Sequence, residues 1–211
     1  MKVTSAKENI LKRIRQALSN PVPVPFPNSE GANSPYFTSQ ESLEVKFAEE
    51  FSRLQGKFLY CASPQEFYAS LYALVQGRRW QEKKLYCREE GLRDMLTPLE
   101  LTYTDDLAES SASITGCEYL VARTGSIFMS SAQQSGRTAS VYSPIHICIA
   151  YTDQLVYDIK EGIQRIKEKY PQQMPSMITM ASGPSRTADI EKTLVVGIHG
   201  PKEVFVFLIE R

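Results

Sequence analysis

Apolar positions change their period along the chain, and the changes divide it. Ile10, Leu11, Ile14, Ala17 and Leu18 share one face at helical spacing, with Lys12, Arg13 and Arg15 elsewhere. Ser5 and Glu8 precede them at capping-box spacing. The pattern predicts an amphipathic helix that stops near Asn20, because Pro21, Pro23, Pro25 and Pro27 follow. Residues 20–35 read as an extended, polyproline-like strap. A helix tethered in this way must bury its stripe on its own body, on a twin subunit or on a partner protein. From Thr38 the pattern becomes α/β. Thr38 and Glu41 cap a helix to about Gln55, with Leu43, Phe47, Phe51 and Leu54 inward and Gly56 as its stop. Residues 58–62 read as a strand. Ser63-Pro64-Gln65-Glu66 then opens a helix lined by Phe67, Leu71, Leu74 and Val75 and ending at Gly77. A strand at 84–87, a short helix near 89–96 and a weak strand at 101–103 follow. This alternation argues for a largely parallel sheet with crossover helices.

The middle third changes character. Residues 119–123 and 126–129 read as two strands around Thr124-Gly125, and the apolar run 145–151 as a central strand. Ile159, Ile163 and Ile166 face inward from a helix at 158–170. The final strands fall at 177–181, 194–198 and 204–209. They deliver two polar turns, Ser182-Gly183-Pro184-Ser185-Arg186-Thr187 and His199-Gly200-Pro201, with 188–191 read as a short helical turn. Both turns are expected to converge on one positively poised hollow. The division is thus an arm at 1–36 and an α/β domain at 37–211.

Composition narrows the classes. With 211 residues, 42% hydrophobic and 23% charged, the chain can bury one sizeable core. Lys+Arg and Asp+Glu both number 24, so no basic field supports nucleic-acid binding. The N-terminus lacks a signal-peptide core, and no run approaches the roughly 20 apolar residues of a membrane span, so a cytoplasmic protein is expected. Cys61, Cys87, Cys117 and Cys148 are far apart, with no C-x-x-C pair, which argues against a self-contained zinc or iron–sulfur site. Cys61, Cys87 and Cys148 sit in apolar runs as small core residues. Two histidines with distant carboxylates make no metal set, so no intrinsic metal is expected.

Gly183, Ser185, Arg186 and Thr187 suit an oxyanion, carboxylate or phosphate, because a turn offers N–H groups and hydroxyls while Arg binds bidentately. Asp189 would orient Arg186 or cap the following turn; the alternative is an internally satisfied turn. His199 could serve as a general base or anion ligand, or be a turn residue with a satisfied ring. His146, at the start of an apolar strand, reads as a satisfied buried imidazole. Thr124, Gly125 and Ser126 offer close backbone approach and hydroxyl donors. Arg137, in the polar stretch 130–140, could supply a second cation from a lid. No Walker loop, G-x-G-x-x-G, G-x-S-x-G or H-E-x-x-H occurs, so nucleotide hydrolysis, Rossmann cofactors and serine hydrolysis lose their usual support.

Taken in order, Thr124-Gly125-Ser126, Gly136-Arg137, Pro144-Ile145-His146, the run 182–191 and Gly197-Ile198-His199-Gly200-Pro201 resemble the LUD domain of the lactate-utilization protein C family. The resemblance covers about residues 40–211 and is strongest from Ala112. It implies a NagB/RpiA/CoA-transferase-like α/β sandwich, with the N-terminal helix and Pro-rich arm as a familiar addition. It also implies a role in bacterial oxidation of L-lactate to pyruvate beside iron–sulfur partner subunits. This chain would have no intrinsic cofactor, with clusters only in those partners. Arg123 stands where family members often carry an acid before the Thr-Gly turn, which disfavours a carboxylate nucleophile and favours anion binding. Two other readings stay open. One is a non-catalytic scaffold or regulatory subunit. The other is an independent isomerase or acyl-CoA transferase of the same fold.

Overall fold

A computed structural model describes residues 6–19, 41–190 and 193–211, with backbone alone at 188–190 and 193–194. The chain divides into two units, residues 1–38 and 39–211. Within the first, helix α1 (Ala6–Ser19) leaves Ile10, Ile14 and Leu18 exposed. The Pro-rich strap and the Ser5 and Thr38 caps lie outside the described residues.

In the second unit the elements run α2 (Leu43–Arg53), β1 (Lys57–Cys61), α3 (Pro64–Arg78), β2 (Lys84–Tyr86), α4 (Glu90–Leu96), β3 (Thr102–Tyr103), β4 (Ala112–Thr115), β5 (Tyr119–Val121) and β6 (Ser126–Ser130). Then come α5 (Ala139–Tyr142), β7 (Ile145–Tyr151), β8 (Leu155–Val156), α6 (Ile159–Lys169), β9 (Ile178–Ala181), β10 (Arg186–Ile190), β11 (Thr193–Val196) and β12 (Glu203–Ile209). Local signals start the helices. Ser42 Oγ accepts from the Val45 amide, Ser63 Oγ from Glu66, and an Asp158 carboxylate oxygen from Glu161. The C-terminus of α2 closes through the Gly56 amide on the Phe51 carbonyl, with Gln55 left-handed before it. Helix α3 runs one residue past Gly77, ending where Arg79 takes the left-handed conformation.

Six strands form a sheet in the order β1-β12-β7-β4-β2-β3, parallel at every pairing. A second, mixed sheet runs β8-β5-β6-β9, and β10 and β11 form a separate antiparallel hairpin. The central strands alternate in two-residue period. Phe205, Phe207 and Ile209 of β12, with Ile147 and Ile149 of β7, face Phe67, Leu71 and Val75 of α3. Val204, Val206 and Leu208, with Cys148 and Ala150, face the other way, onto Phe47 and Phe51 of α2 and Leu120 and Ile127 of the small sheet. Burying each such Val or Leu contributes about 1.5–3 kcal/mol. Helix α6 covers the outer face of the small sheet, with Ile166 against Val121 and Phe128. The result is the α/β architecture with a largely parallel central sheet that the alternating pattern implies.

One reading needs correction. The helical turn read at 188–191 is absent over its described residues, 188–190, because β10 runs through 190 and pairs with β11, Thr187 opposite Val195. Residues 112–115 form a buried strand between β2 and β7, although only Ile114 is a large apolar residue there.

Candidate functional site

The hairpin explains how the two polar turns meet. One precedes β10 and the other follows β11, so cross-strand pairing draws them together. The Ser185 amide donates to the Pro201 carbonyl at 2.9 Å, and the Gly197 amide to the Ser185 carbonyl at 3.0 Å. Arg186 sits opposite Val196. A hollow of about 320 Å³ opens beside this base, lined by Gly183, Ser185, Arg186 and His199 from the turns, Met180 of β9 and His146 of β7. A second hollow of about 410 Å³ adjoins it, sharing Val141, His199 and Gly200 and adding Lys202. No Asp or Glu lines either among the described residues. His146 and Val204 stand at the N-terminal ends of their strands. The hollow therefore lies at the amino edge of the parallel sheet, opposite the usual carboxyl-end crevice of open α/β sheets.

The rim is exposed and the floor is buried. Arg186 and His199 are both exposed. The Arg186 guanidinium also donates to the Leu54 carbonyl at the end of α2, which fixes one of its donors. His146 is fully buried. Its Nε2 lies 2.8 Å from the Thr115 hydroxyl, while its Nδ1 has no hydrogen-bond partner. Burial pushes the imidazole pKa down to about 4, so the ring is neutral at pH 7. The reading of a satisfied buried imidazole is therefore half right, because only one nitrogen is satisfied. The sequence signal for it was slight: one polar residue in the apolar run of β7, on the face shared by Cys148 and Ala150.

Apart from Gly183, which lines the hollow, the remaining candidates lie elsewhere. Gly125 takes φ 56°, and a Cβ there would stand 2.5 Å from the Phe51 nitrogen of α2. Gly183 takes φ 79°, and its Cβ would stand 2.7 Å from the Leu54 carbonyl oxygen. Both turns thus press their backbones onto α2. Ser126 is buried, with its hydroxyl 2.7 Å from that of Ser182, tying one turn to the other. Thr124 Oγ1 is buried without a partner. Thr124, Gly125 and Ser126 do not line the hollow beside Arg186. Arg137 donates to the Ser176 hydroxyl at 2.6 Å, away from that hollow. Thr187 lies on β10, one residue beyond Arg186. The side chain of Asp189 lies outside the described residues. Buried Glu118 accepts from Ser130 Oγ at 2.6 Å, Lys169 Nζ at 2.8 Å and the Tyr170 hydroxyl at 2.9 Å, which makes it a structural knot. Among the described residues no group of three or more His, Cys, Asp or Glu could hold a metal ion.

Comparison with known proteins fits this geometry to a family. The LUD domain model matches residues 45–209, most of the chain. The chain belongs to the LUD domain family. An uncharacterized protein of Neisseria meningitidis is 24% identical across 97% of this chain and 94% of its own length. A protein of Deinococcus radiodurans named lactate utilization protein C is 33% identical over 49% of each chain. Another of that name, from Shouchella clausii, is 28% identical over 66% of this chain and 65% of its own. The chain thus spans about half to two thirds of these two named relatives. A crystal structure of a DUF162 family protein from Deinococcus radiodurans superposes with a TM-score of 0.57 at 17% identity. It covers 82% of this LUD chain and 99% of that one, a likeness of fold. Among the described residues no helix of this LUD protein is long and apolar enough to cross a membrane.

Proposed function

We propose that this LUD protein serves bacterial lactate utilization, the oxidation of lactate to pyruvate, as a subunit that binds a small carboxylate or phosphate-bearing ligand. Relatives named lactate utilization protein C support the pathway. The ligand class rests on one observation: Arg186 and His199 line a single hollow with no carboxylate among its described lining residues. Arg186 pairs with the anion, and the Ser185 hydroxyl adds a donor. The Ser185 amide is spent on the Pro201 carbonyl and takes no part. His199, solvent-exposed at the rim, is the proton-transfer group in this reading. Removing two electrons from lactate requires an acceptor, and iron–sulfur partner subunits supply it in this reading.

The test is Arg186→Ala, with Arg186→Lys as control for lost charge against lost fork geometry. A charge-assisted bond to a small anion contributes about 1.5–3 kcal/mol, so ligand affinity should drop about tenfold or more. Growth on lactate should fail in the alanine variant while its urea midpoint stays within about half a molar of wild type. Wild-type growth and unchanged affinity would refute the assignment.

A further inference from the structure

The hydrogen-bond network beneath the hollow fixes where the proton of His146 sits. The Thr115 hydroxyl lies 2.8 Å from the Gly116 carbonyl oxygen and 2.8 Å from His146 Nε2. A carbonyl has no proton to give, so an oxygen–oxygen distance of 2.8 Å requires the hydroxyl to donate to it. Thr115 has a single proton, now committed. Toward His146 it can only accept, and Nε2 must carry the hydrogen. In a neutral imidazole the other nitrogen is then a bare lone pair. Burial keeps the ring neutral, so Nδ1 does not gain a proton of its own near pH 7.

That lone pair is Nδ1, buried and without a partner, on a ring that lines the hollow. A buried acceptor left unmade is costly, and native folds leave few. We infer that His146 is a specificity-determining acceptor at the floor of the hollow, and that the ligand is a small anion that also carries a hydroxyl donor. This rests on the anion-binding reading of the rim. Arg186 at the rim takes the negative charge, and His146 below takes the hydroxyl proton in a hydrogen bond. An oxo analogue presents only lone pairs to Nδ1 and leaves acceptor facing acceptor. Sites built to bond a hydroxyl reject analogues that lack it far more strongly than they reject a missing methylene. Thr115 is a positioning residue: it touches no ligand and holds the imidazole in the tautomer that accepts.

Two measurements on the full chain test this. Nitrogen-15 NMR of the histidine rings reports the tautomer directly, with the hydrogen of His146 expected on Nε2. A hydrogen on Nδ1 overturns the inference. Calorimetric titration then compares two acid pairs, lactate with pyruvate and 2-hydroxybutyrate with 2-oxobutyrate. Each hydroxy acid should bind about tenfold or more tightly than its oxo partner. Equal binding within a pair, as when a solvent molecule already satisfies Nδ1, overturns the acceptor role and leaves the anion site standing. Failure of all four acids to bind removes the small carboxylate from the anion reading and overturns the inference with it. Thr115→Val frees the ring to take the other tautomer and should erase the preference for hydroxy acids; Thr115→Ser should restore it. A preference unchanged in Thr115→Val refutes the positioning role.

Discussion

Acidifying the protein from pH 7 to pH 5 should remove about 2 kcal/mol of its stability through His146 alone. In the fold this imidazole has its pKa pushed down from 6.5 to about 4, with desolvation as the cause. In the unfolded chain it titrates at its ordinary value. Between those values the unfolded state binds a proton that the folded state refuses, so stability falls as pH falls through the window. Above about pH 6.5 the penalty vanishes; below about pH 4 it is complete, at roughly 3 kcal/mol. The ring's hydrogen-bond partner is the Thr115 hydroxyl, and burial is the sole cause of the shift, with no carboxylate acting to stabilise the cation. Urea unfolding at pH 7, 6 and 5 reads the effect as a midpoint drop of roughly 1 M across the range. His146→Gln removes the titrating group, so its midpoint should be lower at pH 7 yet flatter with pH. A wild-type midpoint flat from pH 7 to pH 5, or an equal slope in the Gln variant, would refute the burial argument.

Two further outcomes follow from separate parts of the fold. Gly125→Ala should cost several kcal/mol, because it combines a positive φ with a Cβ driven into the α2 backbone; Gly136→Ala, with φ 69° and nothing within 4 Å, should cost only about 1 kcal/mol in the same thermal melts. Equal losses would mean that close packing on α2 is not what the Thr-Gly turn provides. Glu203 accepts both guanidinium nitrogens of Arg78, at 2.8 and 2.6 Å, and is bonded by Lys57; Arg78 first, then Lys57, holds its pKa down to about 2. That stability is present above about pH 4.5 and lost as pH falls toward 2, so Arg78→Ala should weaken the acid dependence there and leave the His146 window between pH 6.5 and 5 untouched, as acid titration by circular dichroism would show.

How much of this could be seen in the residues alone depends on what set each element. Strands β7 and β12 are nearly continuous apolar runs, as strands covered on both faces must be, and they stand out without tertiary information. The caps at Ser63 and Asp158 are local chemistry and equally legible. Strand β4 is not: Ala112-Ser113-Ile114-Thr115 has little apolar weight, and pairing between β2 and β7 makes it a strand. Residues 186–190 carry no clean alternation either, and β10 exists because β11 comes back beside it. Thr124 to Ser126 looked like a ligand turn because glycine marks close approach. The approach is real, but what comes close is helix α2.

The site divides along the same line. Its rim follows from a single hairpin: once 186 pairs with 196, the turns before and after it are neighbours, although no alternation in 186–190 announces that pairing. Its floor requires β7 to lie beside β4 with Ser113 opposite His146, which brings Thr115 within 2.8 Å of a ring 31 residues away. Sequence carries no trace of that hydroxyl's single proton, nor of the carbonyl that claims it. The division has a physical consequence. Exposed Arg186 and His199 can change with modest effect on folding, so their substitutions should act mainly on binding. His146 and Thr115 are buried in the layer between the sheets, where any substitution moves stability as well as selectivity. A selection for altered ligand preference would therefore find rim substitutions first, changing affinity for the charge. A switch between hydroxyl and oxo ligands would require the costlier change at the floor.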